Sequence, residues 1–428
     1  MYVRLCWDPT GRAPRPLGTG MAEVQRDRMR RNRPEQATGL LFDQLYHKSS
    51  GPSKPVGVFG YMYLGAVARA DDGVVANAGM LDLVAALRWV RDNIAAFGGD
   101  PDNATIFGES GGGGKILTLL GMPAAAGLFH RAISESGAFR VARPETAAEI
   151  ARAVMAHLGV TTVAQLRAVP TDQLVAAQAA ALERDAGDVG AVLDPATLPV
   201  NPFDSVAVPT ATAVDTAAAI PLLIGSNRDE VTEFLMDMPN YGTMTDAEAE
   251  AMVTGDGPFG MGERGAGLYQ AYRRLHPEAS PTDVAVAVMS DQFRINAIRI
   301  AERHAAAGRA PTYMYLLTWK SPAEDGKLKA CHGLEVPLVM HNIETSPMRR
   351  WVIGPHPTPE RVADAHRLSD VISDAWVAFA RTGSPDCAGM PAWPPYRPDT
   401  RATMVFDSVC RVEHDPLRAE RQAWAGTW

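Results

Sequence analysis

Gly108-Glu109-Ser110-Gly111-Gly112 constrains this chain more than any other stretch, because it follows the β-type run Ala104-Thr105-Ile106-Phe107 and opens into a glycine-rich helix start. A serine on a sharp strand-to-helix turn has its hydroxyl exposed, and small neighbours let the backbone turn tightly. The pattern makes Ser110 the candidate nucleophile. Upstream, Met80, Leu83, Val84, Leu87, Val90 and Ile94 recur at i, i+3, i+4, i+7 spacing, which predicts an amphipathic helix. Gly98-Gly99 ends that helix, and Pro101-Asp102-Asn103 is expected to turn the chain into the strand. Helix, turn, strand, elbow and second helix within some forty residues describe an α/β unit. A phosphate-binding loop is excluded. Its first glycine would fall on Glu109, and Ile116 rather than Ser or Thr follows Lys115.

The 428 residues suffice for a large core, with 46% apolar and 21% charged side chains, an ordinary globular balance. Net charge is −8, which argues against nucleic acid as the main partner. The charge is unevenly spread. Residues 1–55 hold 10 Lys/Arg against 5 Asp/Glu, a net +5, leaving 31 against 44, a net −13, for the rest. The basic run Arg26 to Arg33 carries no interleaved aromatics and reads as a solvated segment rather than a nucleic-acid arm. Cys6, Cys331, Cys387 and Cys410 have no metal-ligand spacing, so neither a zinc site nor a disulfide framework is expected. No apolar run predicts a signal peptide or a membrane span, and the expected location is the cytoplasm.

Downstream, Phe129–Gly137 reads as a buried strand, and 143–185 as helices broken by Pro170, an excursion expected to cap the site. Ile220–Ile224 is a short apolar strand. Helical patterns run between Thr245 and Gly308, Thr312–Trp319 is a strand by composition, Arg361–Thr382 a helix closed by Gly383, and Ala402–Phe406 the expected last strand. A nucleophilic serine needs a base and an acid to orient it, in chain order Ser, acid, His. His332 stands out for lying in a loop-like stretch after the Thr312–Trp319 strand. For the acid, Asp229 and Glu230 both follow the Leu222–Ile224 strand, and spacing alone does not choose between them.

Several ordered motifs then carry a resemblance. They are Asn77–Asp82 through Trp89–Ile94, Phe97–Pro101 with Thr105–Ser110, Gly225–Glu230, Cys331–Pro337, Phe379–Pro385 and Trp393–Tyr396. Together they resemble the type B carboxylesterases, the cholinesterase-like serine hydrolases, over Val56 to Trp428. The resemblance implies an α/β-hydrolase fold, mostly parallel with helical cap insertions, as one domain from 56 to 428. It implies Ser110 as nucleophile, Glu230 rather than Asp229 as acid, and His332 as base. It also implies a serine near the acid at Ser136, and a small-molecule carboxylic ester as substrate without cofactor or metal. Phe234, Leu235, Met236, Met238 and Tyr241 would line an acyl pocket or serve as plain core.

One departure is clear. Family members carry a His-Gly-Gly loop upstream of the elbow whose amides supply most of the oxyanion hole, and this chain has none. Only the Gly111 N–H after the nucleophile remains, unless Ser49, Ser50, Gly51 or Gly57 amides rebuild the hole. Losing one donor costs roughly 10²–10³ in turnover, so an impaired or non-catalytic member of the fold, adhesion-like or defective, is the alternative reading. The N-terminal strands are expected to be missing or replaced, as in a truncated chain or one with a mis-read start. The edge of the serine strand would then be unpaired or covered by the atypical segment 1–55.

Overall fold

The computed structural model describes residues 2–7, 57–137, 141–184, 190–201, 218–257 and 259–426. Contacts divide the chain into two compact units, one of Met1–Phe107, Gly114–Arg131 and Phe139–Ala219, the other of Gly108–Gly113, Ala132–Ala138 and Ile220–Trp428. The basic run 26–33 and Ser49, Ser50 and Gly51 lie outside the described residues.

In the first unit the predicted stripe forms helix Ala78–Asn93, and Met80, Leu83, Val84, Leu87 and Val90 are all buried along it. Ile94, also buried, opens a short 3₁₀ turn to Phe97, which Gly98 ends in the left-handed region. Asn77 precedes the helix with φ 58° and is buried; its side chain exchanges hydrogen bonds with the backbone of Val192 and donates to Thr197. Helices Pro144–His157, Val163–Arg167 and Thr171–Arg184 occupy the predicted helical stretch, with Val154, Ala177 and Ala181 packed on Val58. Gly57 stands before Val58–Tyr61, its carbonyl accepting from Gly60 and Tyr61 N–H.

Strand β1 (Tyr2–Trp7) pairs antiparallel with β2 (Gly99–Glu109), from Tyr2 opposite Phe107 to Leu5 opposite Ala104. That edge of the serine strand is therefore covered by part of the 1–55 segment, one of the two outcomes expected. The expected turn at Pro101–Asn103 is instead strand. The register slips between Leu5 and Trp7, opposite these residues, so a proline lacking an N–H sits where the ladder is already interrupted.

The second unit holds the expected α/β sheet. Strands β3 (Arg131–Glu135), β4 (Leu222–Asn227), β5 (Thr312–Leu317) and β6 (Ala402–Phe406) follow one another in parallel. Parallel neighbours need crossover connections. Helix Pro281–Ala307 follows β4 and packs on β4 and β5, and helix Pro359–Thr382 runs between β5 and β6. Every residue of β4, β5 and β6 is buried, as expected for strands covered on both faces. The last strand is not β6: the half-exposed, polar β7 (Arg411–His414) adds antiparallel after it. Among the described residues no helix is long and apolar enough to cross a membrane.

Candidate active site

Ser110, the residue after β2, has φ 55°, a conformation that costs a non-glycine residue energy and that the turn enforces. Its N–H donates to the Glu135 carbonyl at the end of β3 (2.9 Å). Glycines permit this approach. A Cβ on Gly113 would stand 2.7 Å from Gly137 Cα, and one on Gly137 would stand 2.3 Å from the Gly113 carbonyl carbon. Helix Gly111–Leu120 starts immediately after the serine, so the Gly111 amide belongs to a first turn whose N–H groups have no intrahelical acceptor.

Glu230 is fully buried in the turn after β4. Its Oε1 accepts from Ser136 Oγ (2.6 Å) and from the Asn227 N–H (2.7 Å), and its Oε2 lies 2.6 Å from His332 Nδ1. The His332 N–H donates to the Glu230 carbonyl (3.1 Å), and the Val231 N–H to Ser290 Oγ of helix Pro281–Ala307 (3.2 Å). The neighbouring Asp229 is used differently. Its N–H donates to the Ala330 carbonyl (3.0 Å) and its carboxylate accepts the Ala330 N–H (3.2 Å), closing the turn against the histidine loop. Of the two candidate acids, the structure brings Glu230 and not Asp229 to the imidazole.

His332 is buried, and its other ring nitrogen, Nε2, stands 3.1 Å from Oε1 of Glu109, the residue before Ser110. The rings of Phe234 and Phe293 pack at 5.6 and 5.4 Å from the imidazole, and Phe259 lies 5.0 Å from Phe234. Phe234 is 48% exposed and Met238 is also exposed, while Leu235 is buried core. Of the suggested pocket residues, Phe234 packs its ring on the histidine.

Two features were not read from the sequence. Asn227, whose amide nitrogen donates to the Cys331 carbonyl (2.7 Å) and to Glu335, ties the end of β4 to the loop carrying His332. Around it lies an acid cluster of Glu109, Glu135, Glu230 and Glu335. Burial pushes Glu135 up to about 8, against a hydrogen bond from Trp376 and with help from the Glu109 charge. Burial, then Glu109, Glu135 and Glu230, hold Glu335 well above the usual carboxyl range. At His332 burial opposes the charged ring, but Glu109 and Glu230 outweigh it and push the imidazole up to about 10. Spatial clustering across four separated segments left no local signal. Among the described residues no group of three or more His, Cys, Asp or Glu side chains is arranged to hold a metal.

Residues 56–424 match the model of the carboxylesterase family. The chain belongs to that family. It is 35% identical to the para-nitrobenzyl esterase of Bacillus subtilis (strain 168), over 86% of this chain and 70% of that one. It is also 33% identical to the phenmedipham hydrolase of Pseudarthrobacter oxydans, over 80% and 67%. Among solved structures, the Geobacillus stearothermophilus carboxylesterase Est55 matches with a TM-score of 0.69 at 32% identity, covering 86% of this chain and 73% of that one. A thermophilic pNB esterase matches with a TM-score of 0.68 at 34% identity, over 86% and 71%. The α/β-hydrolase fold expected from the motifs is thus the fold of this carboxylesterase, and the chain is a carboxylic ester hydrolase.

Proposed function

We propose that this carboxylesterase hydrolyses small-molecule esters through Ser110, His332 and Glu230. Ser110 Oγ attacks the ester carbonyl carbon, the carbonyl π pair moves onto oxygen, and the hydroxyl proton passes to His332. Collapse expels the alcohol, which takes the proton from the imidazolium, and leaves an acyl-enzyme. Water activated by the same imidazole then releases the acid. Glu230, hydrogen-bonded to Nδ1, fixes the tautomer and ring orientation. The observation that carries this reading is the 2.6 Å Glu230–His332 contact, made inside a buried socket of Ser136 and the Asn227 N–H.

The Gly111 N–H is the donor we assign to the oxyanion. One donor fewer costs roughly 10²–10³ in turnover, so slow turnover with full labelling of the serine is the signature of a short oxyanion site. The half-exposed Phe234 beside His332 favours esters with an aryl or other bulky apolar group. The names of the relatives, a para-nitrobenzyl esterase and a phenmedipham hydrolase, point the same way. The test is incubation with p-nitrophenyl butyrate and with a fluorophosphonate probe. Labelling at Ser110, abolished in Ser110→Ala, is expected; folded protein that neither labels nor turns over defeats the proposal.

A further inference from the structure

The motif Trp393–Tyr396 plays no part in the hydrolytic reading, yet its last residue carries a hydroxyl buried without a partner. Tyr396 is 2% exposed, its N–H donates to the Thr312 carbonyl (2.7 Å), and its Oη makes no hydrogen bond among the described residues. A hydroxyl left so costs stability. With Arg294, Arg401, Thr403 and Asp415 it lines a small cavity, closed on the apolar side by Ile298, Met314 and Leu316. The free volume open to the centre of a water-sized sphere is about 10 Å³, room for one small occupant. Met314 and Leu316 alternate with Tyr313 and Tyr315 along β5, so the cavity lies on the opposite face of the strand from Tyr315 and the acids that act on it. Burial, Glu302 and Asp415 hold the proton on Tyr396, and Arg401 and Arg421 pull against them, so the hydroxyl stands among the charges of the cavity wall.

That wall is rich in donors. Arg401 spends Nε and Nη2 on Glu302 Oε1 (2.9 and 2.7 Å), which leaves Nη1 unused among the described residues. Arg294 gives Nε and Nη2 to Asp291 and Nη1 to the Pro416 carbonyl (3.2 Å), and a second N–H remains on each terminal nitrogen. The acceptors are already engaged. Asp415 Oδ1 takes Arg421 Nε (2.7 Å), and Oδ2 takes Arg421 Nη2 (2.8 Å) and Arg418 Nε (2.9 Å), one carboxylate against two cations. Thr403, whose hydroxyl hydrogen goes to the Arg401 carbonyl (3.0 Å), adds a neutral oxygen. A water needs acceptors for its two hydrogens, whereas an anion needs donors alone. We propose that this cavity binds a single monovalent inorganic anion of the chloride type, held by the Tyr396 hydroxyl and the spare N–H groups of Arg401 and Arg294. The anion joins helix Pro281–Ala307, the loop after helix Pro359–Thr382 and the start of β6, and it stabilises the fold without touching the chemistry at Ser110.

The experiment follows urea unfolding of wild type and Tyr396→Phe in sodium chloride and in sodium gluconate at matched ionic strength, gluconate being too large to enter. An ion that binds the folded state alone lowers the unfolding equilibrium constant by the factor 1 + [L]/Kd, about tenfold at ten times its dissociation constant, and the effect saturates. Wild type is expected to show this chloride effect, and Tyr396→Phe to lose most of it. The phenylalanine variant keeps its packing and gives up one unpartnered oxygen, so its rate on p-nitrophenyl butyrate stays at the wild-type value. Crystals soaked in sodium bromide supply a second readout, an anomalous peak within hydrogen-bond reach of Tyr396 Oη. Should Tyr396→Phe fail to fold, the wild-type chloride effect and the bromide peak together carry the test. Chloride and gluconate curves that coincide in wild type overturn the proposal, as does a chloride effect undiminished in Tyr396→Phe. A bromide peak with no chloride effect in solution marks an adventitious ion only, and a cavity filled by water in the bromide crystals overturns the proposal as well.

Discussion

Two buried polar clusters of the sheet-bearing unit are built on opposite principles. In the first, Asp291 is matched by more cation than it needs. Arg294 donates from Nε to Oδ1 (2.8 Å) and from Nη2 to Oδ2 (2.6 Å), Tyr272 adds a hydroxyl, and Arg228 stands 3.7 Å away. Burial raises the carboxyl, but Arg294 outweighs it and Asp291 lies below the ordinary range. In the second, Glu109, Glu135, Glu230 and Glu335 share the neighbourhood of His332, and burial together with like charge drives Glu135 and Glu335 the other way. Equal burial thus leads to opposite proton occupancy. The first cluster is balanced and holds a helix in place; the second keeps excess acid protonated around His332.

The comparison is broken most severely at Asp291. Asp291→Ala leaves the Arg294 guanidinium buried without its partner, and the expected loss is about 3–5 kcal/mol of stability in urea unfolding. Fluorophosphonate labelling of Ser110 in the folded fraction stays at the wild-type rate. A loss below about 1 kcal/mol would show the first cluster to be ornamental.

A second, smaller effect separates the clusters by pH. His332 is raised to about 10, so its stabilising contribution is complete below the unfolded value near 6.5 and is lost as pH rises toward 10. Glu135, raised to about 8, has the same sign, because the native state keeps a proton that the unfolded chain releases above about 4.5. Asp291 is depressed, so its contribution is present above about 4 and is lost on further acidification. The urea midpoint should therefore fall from pH 7 to 10 through the acid cluster, and fall again below pH 4 through the arginine-paired one. A flat midpoint from 7 to 10 would mean that the acid cluster holds no extra protons.

The smallest effect is the most selective. Glu335→Gln replaces a protonated carboxyl by a neutral amide of the same shape, and the change in stability should remain under about 1 kcal/mol, read by urea unfolding at pH 7. A loss of several kcal/mol would show that Glu335 is ionised and that the contrast between the clusters is false.

These two clusters also mark where the sequence could and could not be read. Helix Ala78–Asn93 was legible because its buried face repeats with the helical period, and β5 because Thr312–Leu317 is β-branched, aromatic and aliphatic. The elbow was legible because its glycines are demanded locally. Strand β7 was missed for the opposite reason: Arg411-Val412-Glu413-His414 is polar and short, and pairs on an edge where no buried face imposes a pattern. Asp229 and Glu230 could not be separated by spacing, since adjacent residues in a turn face different neighbours and only tertiary contacts reveal which one meets the ring. Asn227 and Glu335, 108 positions apart, left no trace at all, because their pairing is created by the parallel crossover that sets β4 beside β5.

The glycine-to-glycine approach of Gly113 and Gly137 has a consequence for how such a protein can diversify. The backbone of Ser110 is located by its N–H bond to the Glu135 carbonyl and by the close approach of Gly113 to Gly137, beside which the Ser134 hydroxyl also packs. Evolution can therefore redecorate the aromatic wall of Phe234 and Phe293 beside the histidine while the elbow keeps its backbone in place.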